Sequence, residues 1–159
     1  MGQPERVALQ QAFDYLDVVV EEDTSRVDNV RRSPAHARAL MRSYARMVAS
    51  QGTFASLQAD LDGGGMGLGE SALRGYLEAL RKLFVIEDLE AWNPNLRSKA
   101  AILTTPTRHF VDPSIATAAL GAGPQDLMND LNTFGLVFEG LCIRDLRTYA
   151  EALDGKVCH

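Results

Sequence analysis

One change of period constrains this chain more than any other feature. From Glu70 to Lys82 the apolar residues Leu73, Tyr76, Leu77 and Leu80 recur at the spacing of a helix face, with Arg74, Arg81 and Lys82 off that stripe. At Leu83-Phe84-Val85-Ile86 the pattern becomes a short β-type run. No linker separates the two, so a helix must hand over directly to a strand.

Two more helices are expected upstream. Ser33-Pro34 is a helix start, with Ser33 able to cap free N–H groups and Pro34 suited to the first turn; Leu40, Met41, Tyr44, Ala45 and Val48 form the apolar face that follows. Thr53 is placed to cap a second helix carrying Phe54, Leu57 and Leu61, which Asp62-Gly63-Gly64-Gly65 ends, because glycines this dense make a helix costly to continue. Downstream, Trp92-Asn93-Pro94-Asn95-Leu96 has turn chemistry. The returning strand is either residues 100–103 or 108–111, and pattern alone does not choose between them. Three helices, a strand, a wing-like loop and a strand across residues 37–111 outline a winged helix-turn-helix. Its turn, residues 63–69, is longer than the usual 3–4 residues.

The flanks are helical. Leu9, Phe13, Leu16 and Val20 give an N-terminal helix a face to bury against a partner or a missing domain, and the charged stretch from Glu21 to Asp28 reads as a linker or a loosely packed helix. After Asp112-Pro113-Ser114 comes a short helix closed by Gly121 and Gly123, a second opened by Pro124, and a long amphipathic helix from about Phe134 to Leu153 with Val137, Phe138, Leu141, Cys142 and Leu146 inward. Lys156-Val157-Cys158-His159 resembles the first residues of a strand. The expected organisation is a connector helix and linker at 1–33, a winged-helix domain at 34–111, and a helical segment at 112–159. The fold class is mainly α with a small β-hairpin.

A net charge of -5 argues against coating nucleic acid or anionic lipid by bulk electrostatics. Locally the balance differs: Met1 to Arg32 holds four Arg against seven acids, whereas Arg74 to Arg108 holds six Arg or Lys against four. Arg74, Arg81, Lys82, Arg97 and Lys99 are therefore the candidate DNA-contacting residues, on the recognition helix and wing. Two cysteines imply no disulfide framework and fit a reducing cytoplasm, and no run of about 18 apolar residues provides a membrane span.

Several chemistries lack their residues. The stretch Gly64-Gly65-Met66-Gly67-Leu68-Gly69-Glu70-Ser71 follows the spacing of a P-loop, but Glu70 stands where phosphate demands Lys, and a helix rather than a strand precedes it. His36, His109 and His159 lack zinc spacing, and no Ser or Cys has a nucleophile setting. No cofactor is expected. Glu139 lies beside Phe138 on the long helix, where a carboxylate must be solvated, paired or metal-bound.

The motifs Tyr76-Leu77-x-x-Leu80, Leu83-Phe84-Val85-Ile86, Ala91-Trp92-x-x-x-Leu96-Arg97, Pro106-x-Arg108-His109-Phe110-Val111-Asp112-Pro113-Ser114 and Phe134-Gly135-x-x-Phe138-Glu139 together resemble the C-terminal region of prokaryotic AAA-type ATP-binding proteins. The resemblance implies a winged helix joined to a domain similar to PD-(D/E)XK nucleases, following an ATPase that carries a Walker A motif. It carries over Glu139 as the acid on the first nuclease-like helix and gives Asp112 a helix-opening role. On this reading the chain is a cytoplasmic, non-enzymatic fragment lacking the ATPase half and stopping within the nuclease-like domain. It docks protein partners, the missing ATPase domain among them, or DNA. The alternative is part of a metal-dependent nuclease completed by residues beyond His159, and an uncovered face on the last helix implies a homo-oligomer.

Overall fold

The structure, a computed structural model, describes residues 3–92 and 104–159, with side chains from residue 6 onward. It is mainly helical. Helix α1 (Gln3–Val18) runs into a π-turn (Val19–Asp23) and a single turn, α2 (Thr24–Arg26). Helices α3 (Pro34–Arg46), α4 (Phe54–Gly63) and α5 (Glu70–Lys82) follow, then α6 (Pro113–Leu120), α7 (Pro124–Asn129) and α8 (Leu131–Glu151).

Local chemistry accounts for most of these boundaries. Thr53 accepts from the Ser56 N–H at 3.0 Å and Asp112 from the Ser114 N–H at 2.8 Å, so both act as the caps the sequence suggests. Ser33 does not cap: its own N–H donates to the Tyr76 hydroxyl at 2.8 Å, which ties the start of α3 to α5 instead. Helix α5 ends in a Schellman arrangement, with Val85 N–H donating to the Leu80 carbonyl and Phe84 N–H to that of Arg81. Leu83 and Phe84 therefore belong to the helix cap and not, as their side chains suggest, to the strand. Phe84 takes the left-handed position with φ 54.

Pairing begins one residue later. Ile86 bridges Phe110 and Leu89 bridges Thr107, both antiparallel, so the return lies at residues 107–110. The other candidate, residues 100–103, lies outside the described residues. A third extended segment joins on the far side: Val48, between α3 and α4, bridges Arg108 in parallel. Nothing in the sequence pattern announced this segment, because Val48 continues the apolar face of α3.

One core spans the expected divisions at 33 and 111. Leu16, Val19 and Val20 are buried with Leu40, Met41, Tyr44, Leu57, Leu73, Leu80, Phe110, Ala116 and Val137 in a single cluster. Tyr44 and Phe110 meet edge to face with ring centroids 5.2 Å apart. The face of α1 packs on α6 of the same chain. The charged stretch after it is helical too: Glu21 and Glu22 stay exposed while Val19, Val20 and Thr24 turn inward. Arg32 locks the linker that follows, donating to Asp28 at 2.7 Å and to the Gly75 carbonyl at 3.0 Å.

Helix α8 departs from expectation. Of its predicted inward residues Val137 is buried, whereas Phe138 and Leu146 are each 52% exposed and Cys142 is exposed. The helix packs on α6 and α7 along a narrow strip, and the wider apolar stripe has no covering element among the described residues. The final residue pairs beside Ala91: Trp92 N–H donates to the His159 carbonyl at 2.7 Å and His159 N–H to that of Glu90 at 3.0 Å, while residues 155–159 form no assigned strand. Among the described residues no helix is long and apolar enough to cross a membrane.

Candidate interaction surfaces

The cations singled out on α5 are placed on its outer side, and each has an acid beside it. Arg74 pairs with Glu70 at 2.8 Å and lies over the Phe54 ring, 4.5 Å from its centre. Lys82 approaches Glu78 at 3.7 Å, one turn back. Arg81 donates to Asp88 at 2.9 Å. Arg97 and Lys99 lie outside the described residues. The cations of α5 thus each have an acid beside them.

Asp88 is the centre of the best-built polar cluster in the molecule. Its carboxylate receives the Tyr44 hydroxyl, Arg81 at 2.9 Å and Arg108 at 2.6 Å. Arg108, whose side chain is only 8% exposed, also donates through Nε to the Gly52 carbonyl at 2.8 Å. Burial pushes the Asp88 pKa up, but the hydrogen bonds from Tyr44 and Arg81 and the charge of Arg108 outweigh it and hold the carboxyl below its ordinary value. Burial, reinforced by the Asp88 charge, raises the Tyr44 phenol. The four side chains tie α3, α5 and the extended segments together, and their mutual satisfaction marks them as structural.

On the opposite side of the same extended segment His109 is 1% exposed. Its Nε2 meets the Thr107 hydroxyl at 3.1 Å and its Nδ1 has no partner. Burial, the nearby Arg147 charge and His159 lower its pKa to about 4 against the pull of Asp88. Arg147 anchors α8 there, bonding the Asp88 carbonyl at 3.1 Å and Glu87 at 2.9 Å.

Glu139 is exposed on α8, and among the described residues no three His, Cys, Asp or Glu side chains are grouped to hold a metal. The glycine-rich loop after α4 folds its amides back on the helix end, Met66 N–H donating to the Leu61 carbonyl at 2.8 Å and Gly64 N–H to that of Asp60 at 3.0 Å. Those two amides close the turn.

A surface that the motifs did not single out lies between α3 and the end of α4. It is a groove of about 480 Å³ lined by Arg38, Arg42 and Arg46 on one side, by Asp60, Gly64 and Met66 on the other, and floored by Ala39 and Leu61. The spacing of its arginines, i, i+4 and i+8, is legible in the sequence, and the row lies in an acid-free stretch, residues 31–59, that holds five Arg. The chain belongs to a family described as a domain of unknown function, DUF8612, whose model matches residues 3–126. No curated protein and no solved structure matches it. The matched stretch contains the arginine row, the Asp88 cluster and the three paired segments, and it ends within α7, ahead of α8.

Proposed function

We propose that this chain is a winged helix that docks a protein partner and performs no chemistry of its own. The observation that carries this is the order α3, Val48, α4, α5, residues 86–89, residues 107–110, with Val48 beside Arg108 and the last two segments antiparallel. That is the order of helices and strands in a winged helix-turn-helix, and the chain between residues 89 and 107 takes the place of the wing. Docking of protein is favoured over DNA because Arg74, Arg81 and Lys82 each face an acid. The resemblance to the C-terminal region of AAA-type ATP-binding proteins makes an ATPase domain the natural partner, and extends the reading to a nuclease-like segment at 112–159.

A band-shift titration with a 30-base-pair duplex at low salt tests the choice of partner. No shift is the expected result. A shift that weakens in Arg81→Ala/Lys82→Ala, with the salt slope falling by about one unit per lost phosphate contact, would establish DNA instead. DNA cleavage in Mg²⁺ or Mn²⁺ that disappears in Glu139→Ala would overturn the non-enzymatic part of the reading. Sequencing of the gene on both sides tests the association with an ATPase, and a Walker A motif upstream is what it predicts.

A further inference from the structure

The row Arg38, Arg42 and Arg46 stands on successive turns of α3, so its Cα positions repeat about every 6 Å along the helix axis. All three line the groove against α4, where Asp60 is the one acid among the lining residues. Three acids, Asp17, Glu21 and Asp60, reach this row, so the charge it leaves unpaired is that of Arg42. The two end members have partners. Arg46 donates to Asp60 at 3.0 Å, and Asp60 in turn receives the Ser43 hydroxyl at 2.8 Å, which fixes that end of the groove. Arg38 holds Asp17 at 2.8 Å and Glu21 at 3.6 Å. Arg42, between them, is exposed and has no ion pair with any described residue.

Arg38 is already met by two acids of the same chain. Asp17 and Glu21 are carboxylates four residues apart on the chain's own N-terminal helical segment, presented together to one arginine of α3. A helix with acids at that spacing matches the repeat of the arginine row, since both rise by four residues of helix. The floor sets a second condition. Ala39 and Leu61 are apolar, and Met66 at the rim is an adaptable apolar contact, so an apolar side chain must enter between the charges. No aromatic side chain lines the groove to stack a base, which disfavours single-stranded nucleic acid.

We infer that the groove between α3 and α4 binds an acidic amphipathic helix of a partner protein, with an apolar residue over Ala39 and Leu61 and carboxylates on Arg42 and its neighbours. This deepens the docking reading and rests on it. The band shift tests docking itself, while the groove is tested separately, so either can fail alone.

The test is a titration of the ¹⁵N-labelled chain with a 16-residue capped peptide of Leu, Ala and Glu, its glutamates spaced i, i+4, followed by amide chemical shifts. Shifts confined to Ala35, Ala39, Arg42, Leu61, Gly64 and Met66, weaker at high salt, are expected. Arg42→Glu, whose side chain is exposed and unpaired, should keep the melting temperature and lower affinity at least tenfold. Met66→Asp should do the same from the opposite wall. Absence of shifts at millimolar peptide, equal binding of the Lys-for-Glu peptide, or affinity unchanged in both variants would overturn the inference. Tighter, Arg42-dependent binding of a 16-nucleotide oligothymidylate would replace the acidic helix with a nucleic acid.

Discussion

Replacing Asp88 by Ala should be among the most damaging single changes at the polar surface of this protein. The substitution leaves Arg108 with its Nε bond to Gly52 and no counter-charge, in a side chain only 8% exposed. It also leaves the buried Tyr44 hydroxyl with a single weak contact, 3.4 Å to the His109 carbonyl. Removing one partner of a buried ion pair costs roughly 3–5 kcal/mol. Asp88 itself is 15% exposed and its third partner Arg81 is 44% exposed, so water re-enters on that side, and the lower end, about 3 kcal/mol, applies. For a chain of this length that is a fall in melting temperature of about 6–12 °C. Urea unfolding at pH 7 measures it directly, with Arg81→Ala, which removes only the exposed partner, expected to cost under about 1 kcal/mol. Because the Asp88 pKa is lowered in the folded state, its contribution is present above the ordinary carboxylate range and is lost as pH falls through the folded value. The gap between the two proteins should close in strong acid. Pairing Asp88→Asn with Arg108→Met should recover much of the loss, since an apolar replacement removes the orphaned charge. An Asp88→Ala cost no larger than that of Arg81→Ala would refute the assignment of Asp88 as the hub.

Two other substitutions have outcomes of opposite sign. The His109 pKa of about 4 lies below its ordinary 6.5, so the imidazole favours folding when neutral: its contribution is complete above the unfolded value and is lost as pH drops toward the folded one. Stability should fall by about 2 kcal/mol between pH 7 and pH 5, and His109→Leu, which deletes an Nδ1 without a partner, should flatten that part of a melting-temperature profile. A profile unchanged by the substitution would assign the acid sensitivity elsewhere. Phe84 is 77% exposed and occupies a left-handed cap position with φ 54, so Phe84→Gly should stabilise by up to about 1 kcal/mol in urea. Destabilisation would mean that the ring has packing which its exposure does not show.

The helices were legible because each satisfies a local rule: Thr53 and Asp112 cap, Pro34 and Pro113 occupy the first turn, and Leu73, Tyr76, Leu77 and Leu80 keep a 3.6 period. The errors arise where a long-range contact decides. Ser33 had the right chemistry for a cap, but the Tyr76 hydroxyl 43 residues away takes its N–H. Phe84 has strand propensity and sits in a cap because the Leu80 and Arg81 carbonyls need donors at that point. Val48 keeps the period of α3 and becomes an edge partner of Arg108. On α8 the period was read correctly but its meaning was not, since a stripe records what a helix could bury and α6 and α7 cover only the strip at Val137 and Gly140.

Charge was the least legible property of the candidate surfaces, for a related reason. A linear window credits Arg74 to Arg108 with an excess of two positive charges, yet Arg81 and Arg108 share Asp88 while Arg74 and Lys82 face acids one turn away. Residues 31–59 hold five Arg and no acid, so this stretch does stand out in the sequence, and folding brings Arg38, Arg42 and Arg46 to one wall of a groove with Asp60 opposite and with Asp17 and Glu21 on Arg38. What attracts a charged partner is the charge left over after pairing in three dimensions. By that measure the α3 groove keeps Arg42 as its unpaired charge, while Arg74, Arg81 and Lys82 on α5 each have an acid beside them. The proposal of protein docking over DNA reading rests on this pairing of the α5 cations, since contact with phosphate draws on Lys and Arg that are free of acids.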